Sequence, residues 1–219
     1  MYKQIKIASA LFALILTLHV HAFSSLKWAE TSVTMHPDPY TEKVLAEFHY
    51  TNLTKSPIRI KKIETSCGCM TTSESAKIIQ PGSKGVLPIT VNLKGKYGVI
   101  KEVARVLYDD SKEADGLVIT IINPKPMKVS PPFLYWKSGD EKEKSISLTP
   151  HPHLKLKYLQ MIEAPAAFVT ELVTKAENKS YVIKAKPRKA QTPVREKLVV
   201  EWKVEGRELE SLTIYLMVK

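Results

Sequence analysis

The chain holds two cysteines, Cys67 and Cys69, set two residues apart in Thr65-Ser66-Cys67-Gly68-Cys69-Met70. Three chemistries suit that spacing: a pair of small apolar residues packed at a strand end, a redox-active disulfide, or a soft-metal site of two thiolates. As a staple the pair is weak, because closing a three-residue loop gains only about 1.6 kcal/mol, against about 3 for a 15-residue loop. Such a bond is comparatively reducible. As ligands, two thiolates match copper(I) or zinc in softness, with Met70 next door as a thioether. Zinc takes four ligands, and the sequence does not show the other two. The residue types by themselves leave all three readings open.

Other chemistry has less to stand on. The chain contains no Gly-x-Ser-x-Gly, no His-Glu-x-x-His, no phosphate loop and no dinucleotide fingerprint. No enzyme activity and no cofactor are therefore expected. His36 and the His151-Pro152-His153 group sit in proline loops and read as polar surface, and His49 alternates with the core face of its strand, so it should be exposed. The densest positive run is Lys184-Ala185-Lys186-Pro187-Arg188-Lys189, continuing to Arg195 and Lys197. It lacks the interleaved aromatics that stack bases, so it reads as a solvated face rather than a specific nucleic-acid site.

The cysteines depend on the strand that carries them. Ile58 and Ile60 alternate with Arg59 and Lys61, then the apolar phase slips at Lys62 so that Ile63, Thr65, Cys67 and Cys69 form the next set. One extra residue is a β-bulge, which bends a strand and re-aims its side chains. If the extended geometry continues, both sulfurs leave the same face. Gly68 between them is expected to open backbone conformations closed to other residues. Pro81-Gly82 supplies the turn that ends this stretch.

Four segments in order, Phe48-His49-Tyr50-Thr51-Asn52, Thr65-Ser66-Cys67-Gly68-Cys69-Met70, Gln80-Pro81-Gly82 and Gly95-Lys96-Tyr97-Gly98, resemble the exported bacterial domain of unknown function numbered 1573. The likeness runs over residues 45 to 110, with Met70 where the family usually has Thr. It implies an immunoglobulin-like β-sandwich in the cell envelope and, since the family has no agreed activity, implies none here.

The N-terminus reads as a secretory signal: Lys3 and Lys6, an uncharged run from Ile7 through Leu18, then Val20-His21-Ala22 as a cleavage site. The run is short of the roughly 20 apolar residues that span a membrane, so no stable membrane insertion is expected after cleavage. Removing Lys3 and Lys6 lowers the formal charge from +11 to +9, still basic. The mature protein is expected in the periplasm or outside the cell.

Beyond residue 22 the rhythm is that of strands. Val44, Ala46, Phe48 and Tyr50 alternate with polar partners, as do Leu198, Val200, Trp202 and Val204, and Leu117 to Ile122 is apolar on both faces. One edge strand is expected around Trp28 to Met35, a proline-bearing edge strand at Pro88, and a polar loop from Asp109 to Asp115. Asn123-Pro124-Lys125-Pro126 reads as a linker. The sequence therefore predicts an all-β protein of two immunoglobulin-like β-sandwiches in tandem: a signal at 1–22, a first domain at 23–123 and a second at 124–219. It is expected to bind a partner, an envelope protein or polymer, or to support an envelope assembly. The alternative is thiol-dependent work, copper(I) binding or disulfide exchange, at Cys67 and Cys69.

Overall fold

The computed structural model describes residues 26–72, 77–109 and 113–219, and every regular element in them is a strand. The expected signal at 1–22 lies outside the described residues. In the first half the strands are β1 (Lys27–Trp28), β2 (Ser32–Met35), β3 (Lys43–Thr51), β4 (Ile58–Thr65), β5 (Met70–Thr71), β6 (Ile78–Ile79), β7 (Lys84–Asn92), β8 (Gly98–Tyr108) and β9 (Ala114–Asn123). They form two sheets, ordered β1-β3-β7-β5 and β2-β9-β8-β4-β6.

Period-two burial brings the sheets face to face. Ala46, Phe48, Leu87 and Ile89 point inward from one sheet; Ile60, Ala104, Val106, Leu117 and Ile119 point inward from the other. The phase slip at Lys62 is visible as a shift of register, with Ile60 opposite Tyr108 but Lys62 opposite Leu107.

The second half has β10 (Met127–Ser130), β11 (Phe133–Trp136), β12 (Lys144–Pro150), β13 (Leu156–Glu163), β14 (Phe168–Ala176), β15 (Ser180–Pro187), β16 (Val194–Val204) and β17 (Leu209–Val218). Its sheets, β10-β12-β15-β14 and β11-β17-β16-β13, enclose a separate core around Trp136, Phe168, Ile183, Leu198 and Leu216. The protein is thus two immunoglobulin-like sandwiches in tandem.

Both follow one plan. Each opens with a strand split between the two sheets, whose second piece runs parallel to the last strand: β2 beside β9, β11 beside β17. They differ at the crossover. In the second sandwich β14 lines β15 along its length, whereas in the first the same route is broken into β5, which pairs only with Val91 and Thr90 of β7, and β6, which pairs with β4.

Three expectations are corrected. The single strand around Trp28 to Met35 is two strands in opposite sheets, because the chain changes sheet between them. The loop expected up to Asp115 ends earlier, since β9 begins at Ala114. There Asp115 accepts hydrogen bonds from Trp28 Nε1 (2.8 Å) and the Tyr108 hydroxyl (2.5 Å), which ties both rings to the strand. The burial expected on both faces of β9 is found on one: Leu117, Ile119 and Ile121 are buried, whereas Val118 and Thr120 on the other face are half-buried and Ile122 is exposed.

The sandwiches touch through Tyr40, which packs against the second core with its hydroxyl 3.4 Å from Trp202 Nε1 and the Arg207 guanidinium 4.9 Å above its ring. Asp38 Oδ1 lies 2.5 Å from His153 Nδ1 at the same junction.

Candidate functional site

Cys67 and Cys69 occupy the corner where the chain leaves β4 for β5 in the facing sheet. The pairing of β4 with β8 ends at Thr65 opposite Ala104. Ser66 adds a last rung: its N–H donates to Val103 O, and its Oγ accepts from Val103 N–H, both at 2.9 Å. The chain then turns. Thr65 Oγ1 donates to Cys67 O at 3.1 Å, and Asn92 N–H donates to Cys69 O at 2.8 Å, which anchors the turn to the other sheet.

The extended geometry expected through Cys69 therefore stops at Thr65, and it is the turn that brings the sulfurs together. They are joined as a disulfide with Cα atoms 5.2 Å apart, half-buried against the first core. Cys69 N–H donates to Cys67 Sγ at 3.3 Å. Gly68 does not use the freedom expected of it: its φ is outside the left-handed region, and a Cβ added there meets nothing within 4 Å. That freedom is used instead at Gly82, Gly95, Gly98, Gly139 and Gly206, whose φ lies between +70° and +90°.

A residue that sequence reasoning passed over completes the corner. Ala104, Val106 and Tyr108 of β8 face the core, and Glu102 continues that face where the pairing with β4 ends. Its Oε2 accepts the Ser66 hydroxyl at 2.5 Å, while Oε1 stands 3.5 Å from Cys69 Sγ and 3.9 Å from Lys96 Nζ. Its side chain is 12 % exposed. The signal was legible: a charged residue in phase with core positions.

Among the described His, Cys, Asp and Glu, the group whose ligand atoms all lie within 4.8 Å is Cys67, Cys69 and Glu102. Two thiolates and a carboxylate suit zinc, once the disulfide is reduced. Met70, expected as a thioether, is a core residue at 5 % exposure with Sδ 3.9 Å from Ser66 Oγ. Pro81-Gly82 lies away from the sulfurs, where Gly82 N–H donates to Asn52 O at 2.8 Å. Asn52 is itself fully buried. Its Nδ2 donates to Ser56 O and Ile79 O, and its Oδ1 accepts from Thr54 N–H, each at 2.9 Å, so two of the matched segments meet here.

The second sandwich offers a comparison at the equivalent corner. There Glu196 of β16 accepts the Ala167 N–H at 2.9 Å, and the turn contains no sulfur. Part of the basic run is also engaged locally: Lys184 with Glu143 at 3.7 Å, Lys197 with Glu163 at 3.0 Å, and Arg195 over the Tyr215 ring at 4.4 Å. His49 is exposed, as its alternation required, and the rings of His151 and His153 stand edge to face, 5.0 Å apart.

Beside the disulfide, β8 runs on past the end of β4. Among the described residues, Gly98 to Glu102 pair with β9 on one side only. Because Val103 N–H and C=O point toward Ser66, period two directs those of Lys101 and Val99 the same way, to an open edge. Val99 is 74 % exposed there, at the mouth of a groove of about 780 Å³ that Ile122, Lys125, Met127 and Lys128 also line.

These features define the class: a tandem β-sandwich protein with a Cys-Gly-Cys disulfide at the sheet crossover of its first domain. Residues 26–122 match the profile of the family described as "Protein of unknown function (DUF1573)", so the resemblance carried by the four segments holds over the first domain. No curated protein matches the chain. Solved structures similar to it include a protein of unknown function from Porphyromonas gingivalis W83, 10 % identical over 89 % of this chain and 96 % of that one with a TM-score of 0.32. The Pseudomonas aeruginosa CupB2 chaperone is 11 % identical over 85 % and 98 % (TM-score 0.35), and the secreted serine protease VesC from Vibrio cholerae 8 % identical over 76 % and 47 % (TM-score 0.37). Likeness at this level carries no information about what the chain does.

Proposed function

We propose that the protein is a binding module of the bacterial cell envelope that holds an extended segment of a partner protein against the open edge of β8. The observation behind this reading is the one-sided pairing of Gly98 to Glu102, which leaves the N–H and C=O groups of Val99 and Lys101 turned outward. An added strand would satisfy them and carry alternate side chains into the neighbouring apolar groove. Lys96, Lys101, Lys125 and Lys128 surround this edge, so the favoured segment alternates apolar with acidic residues. The envelope location rests on the signal-like sequence of residues 1–22.

The test uses Lys101→Pro. Its N–H faces the open edge, so proline removes a docking group without breaking a rung to β9. Fluorescence anisotropy with a labelled Val-Glu alternating peptide should show binding to the wild type, weaker binding of a Val-Lys peptide, and loss of binding in the variant. Equal binding of both peptides by both proteins would end this reading.

A second reading, thiol-dependent action at Cys67 and Cys69, has its own support in the Glu102 carboxylate lying against Cys69 Sγ. Metal binding by the reduced pair with Glu102 is its other form. Titrating the reduced protein with copper(I) or zinc against a competing chelator, with a Cys67→Ser, Cys69→Ser double variant as reference, decides that form. Equal weak binding by the two proteins removes it.

A further inference from the structure

The two sulfurs of the Cys67–Cys69 disulfide stand in different surroundings, and the difference assigns each a role. Cys67 Sγ accepts the Cys69 N–H at 3.3 Å, a contact that stabilises negative charge on that sulfur. Cys69 Sγ faces the Glu102 carboxylate at 3.5 Å, which disfavours a thiolate there and offers a place for a proton. Among the described residues, the cation beside this carboxylate is Lys96, 3.9 Å away, and Ser66 holds the second oxygen.

We propose that the disulfide oxidises a dithiol in a partner polypeptide, with Cys67 as the first leaving sulfur and Glu102 as the base at Cys69. This rests on the thiol reading above. The partner's first thiol attacks Cys69 Sγ and gives its proton to Glu102. The Cys67–Cys69 bond breaks, a partner–Cys69 disulfide forms, and Cys67 leaves with the electron pair as a thiolate under the Cys69 N–H. The better-stabilised sulfur is the faster leaving group. The partner's second thiol, as thiolate, then attacks the partner's own sulfur in the mixed disulfide. Cys69 leaves with its electron pair and takes back the proton from Glu102; the proton of the second thiol goes to solvent or to Cys67. Two electrons have passed from the partner dithiol to the protein. The small loop favours this direction, since reopening it costs the folded protein little constraint.

Glu196 sharpens the case. At the equivalent corner of the second sandwich a carboxylate satisfies a backbone N–H, Ala167. In the first sandwich the turn is held to the sheets by Ser66 with Val103 and by Asn92 with Cys69, so Glu102 is not needed for a backbone donor there.

The test follows reduction of the folded protein by dithiothreitol across pH 5 to 9, with alkylation and mass spectrometry as the readout. Wild type should be reduced at pH 6 at least about tenfold faster than Glu102→Gln, a modest share of what a positioned base supplies. The gap should close at high pH, where the reagent is already thiolate. Glu102→Asp should recover part of the rate, and Glu196→Gln should behave as wild type. Glutathione, a monothiol, should be trapped on Cys69 rather than Cys67. Circular dichroism of each variant separates a lost base from a lost fold; if Glu102→Gln unfolds, the trapped site and the Glu102→Asp profile carry the decision. A disulfide that dithiothreitol does not reduce in the folded protein overturns the thiol reading itself. Reduction at equal rates in wild type and Glu102→Gln, or glutathione on Cys67, overturns the assigned roles and leaves that reading standing.

Discussion

Glu102 Oε1 stands 3.5 Å from Cys69 Sγ, although 33 residues separate them along the chain. The contact exists because the last rung between β4 and β8, Ser66 with Val103, places the cysteine turn beside Glu102, the next residue of β8. A carboxylate in phase with Ala104 and Val106 thereby meets sulfur instead of the apolar core.

The disulfide should matter little to stability. Exchanging Cys67 and Cys69 together for Ser should lower the unfolding free energy by no more than about 1 to 2 kcal/mol, since the loop is small and both sulfurs are only half-buried. Urea unfolding of both proteins measures it, and a loss above about 4 kcal/mol would mean that the bond holds the fold.

Gly68→Ala should be tolerated within about 0.5 kcal/mol, because its backbone is ordinary and open space receives the new Cβ. Gly95→Ala, at φ +73°, should cost about 1 to 2 kcal/mol. Paired denaturation curves check the contrast, which would vanish if Gly68 were the conformationally demanding position.

Asn52→Ala should destabilise by about 2 to 4 kcal/mol, because it strands the buried Ile79 O and removes the bonds to Ser56 O and Thr54 N–H at a fully buried side chain. A change under about 1 kcal/mol in calorimetry would show that water replaces the amide there.

Burial first, and then the hydrogen bond to Asp115, raise the Tyr108 hydroxyl well above its ordinary value of 10.0. The unfolded tyrosine loses its proton above about pH 10 while the folded one keeps it, so this stability is complete below pH 10 and declines as pH rises further. The slope is at most about 1.4 kcal/mol per pH unit for the one group. Tyr108→Phe should flatten the decline between pH 10 and 11.5, measured by urea unfolding; an unchanged slope would place the effect elsewhere, Tyr40 and Tyr97 being raised as well.

Tyr40→Ala should uncouple the two sandwiches, removing the contact with Trp202 and the surface under Arg207 at a cost of about 1 to 3 kcal/mol. Scanning calorimetry should then resolve two transitions more clearly than in the wild type. A single transition at the original temperature would argue that the junction is held without this ring.

The strands could be read one at a time because in-and-out alternation is local chemistry: Val44 to Tyr50 and Leu198 to Val204 carry their faces in their own residue types, and the slip at Lys62 announced its bulge. The Cys-Gly-Cys segment was legible as a special position for the same reason. What surrounds it was not. Sheet order decides which strand ends lie together, and no local pattern encodes that β2 pairs in parallel with β9, that β5 covers only two residues of β7, or that β8 outruns β4. Asp115 shows the limit plainly: as sequence it closes an acidic loop, and only the approach of Trp28 from 87 residues away makes it a half-buried acceptor. Residue types determined that the chain would form sandwiches with a sulfur pair at one strand's end. Long-range pairing, whose energy lies in contacts between distant segments, decided that the pair would have the Glu102 carboxylate beside it and β8 running on past β4.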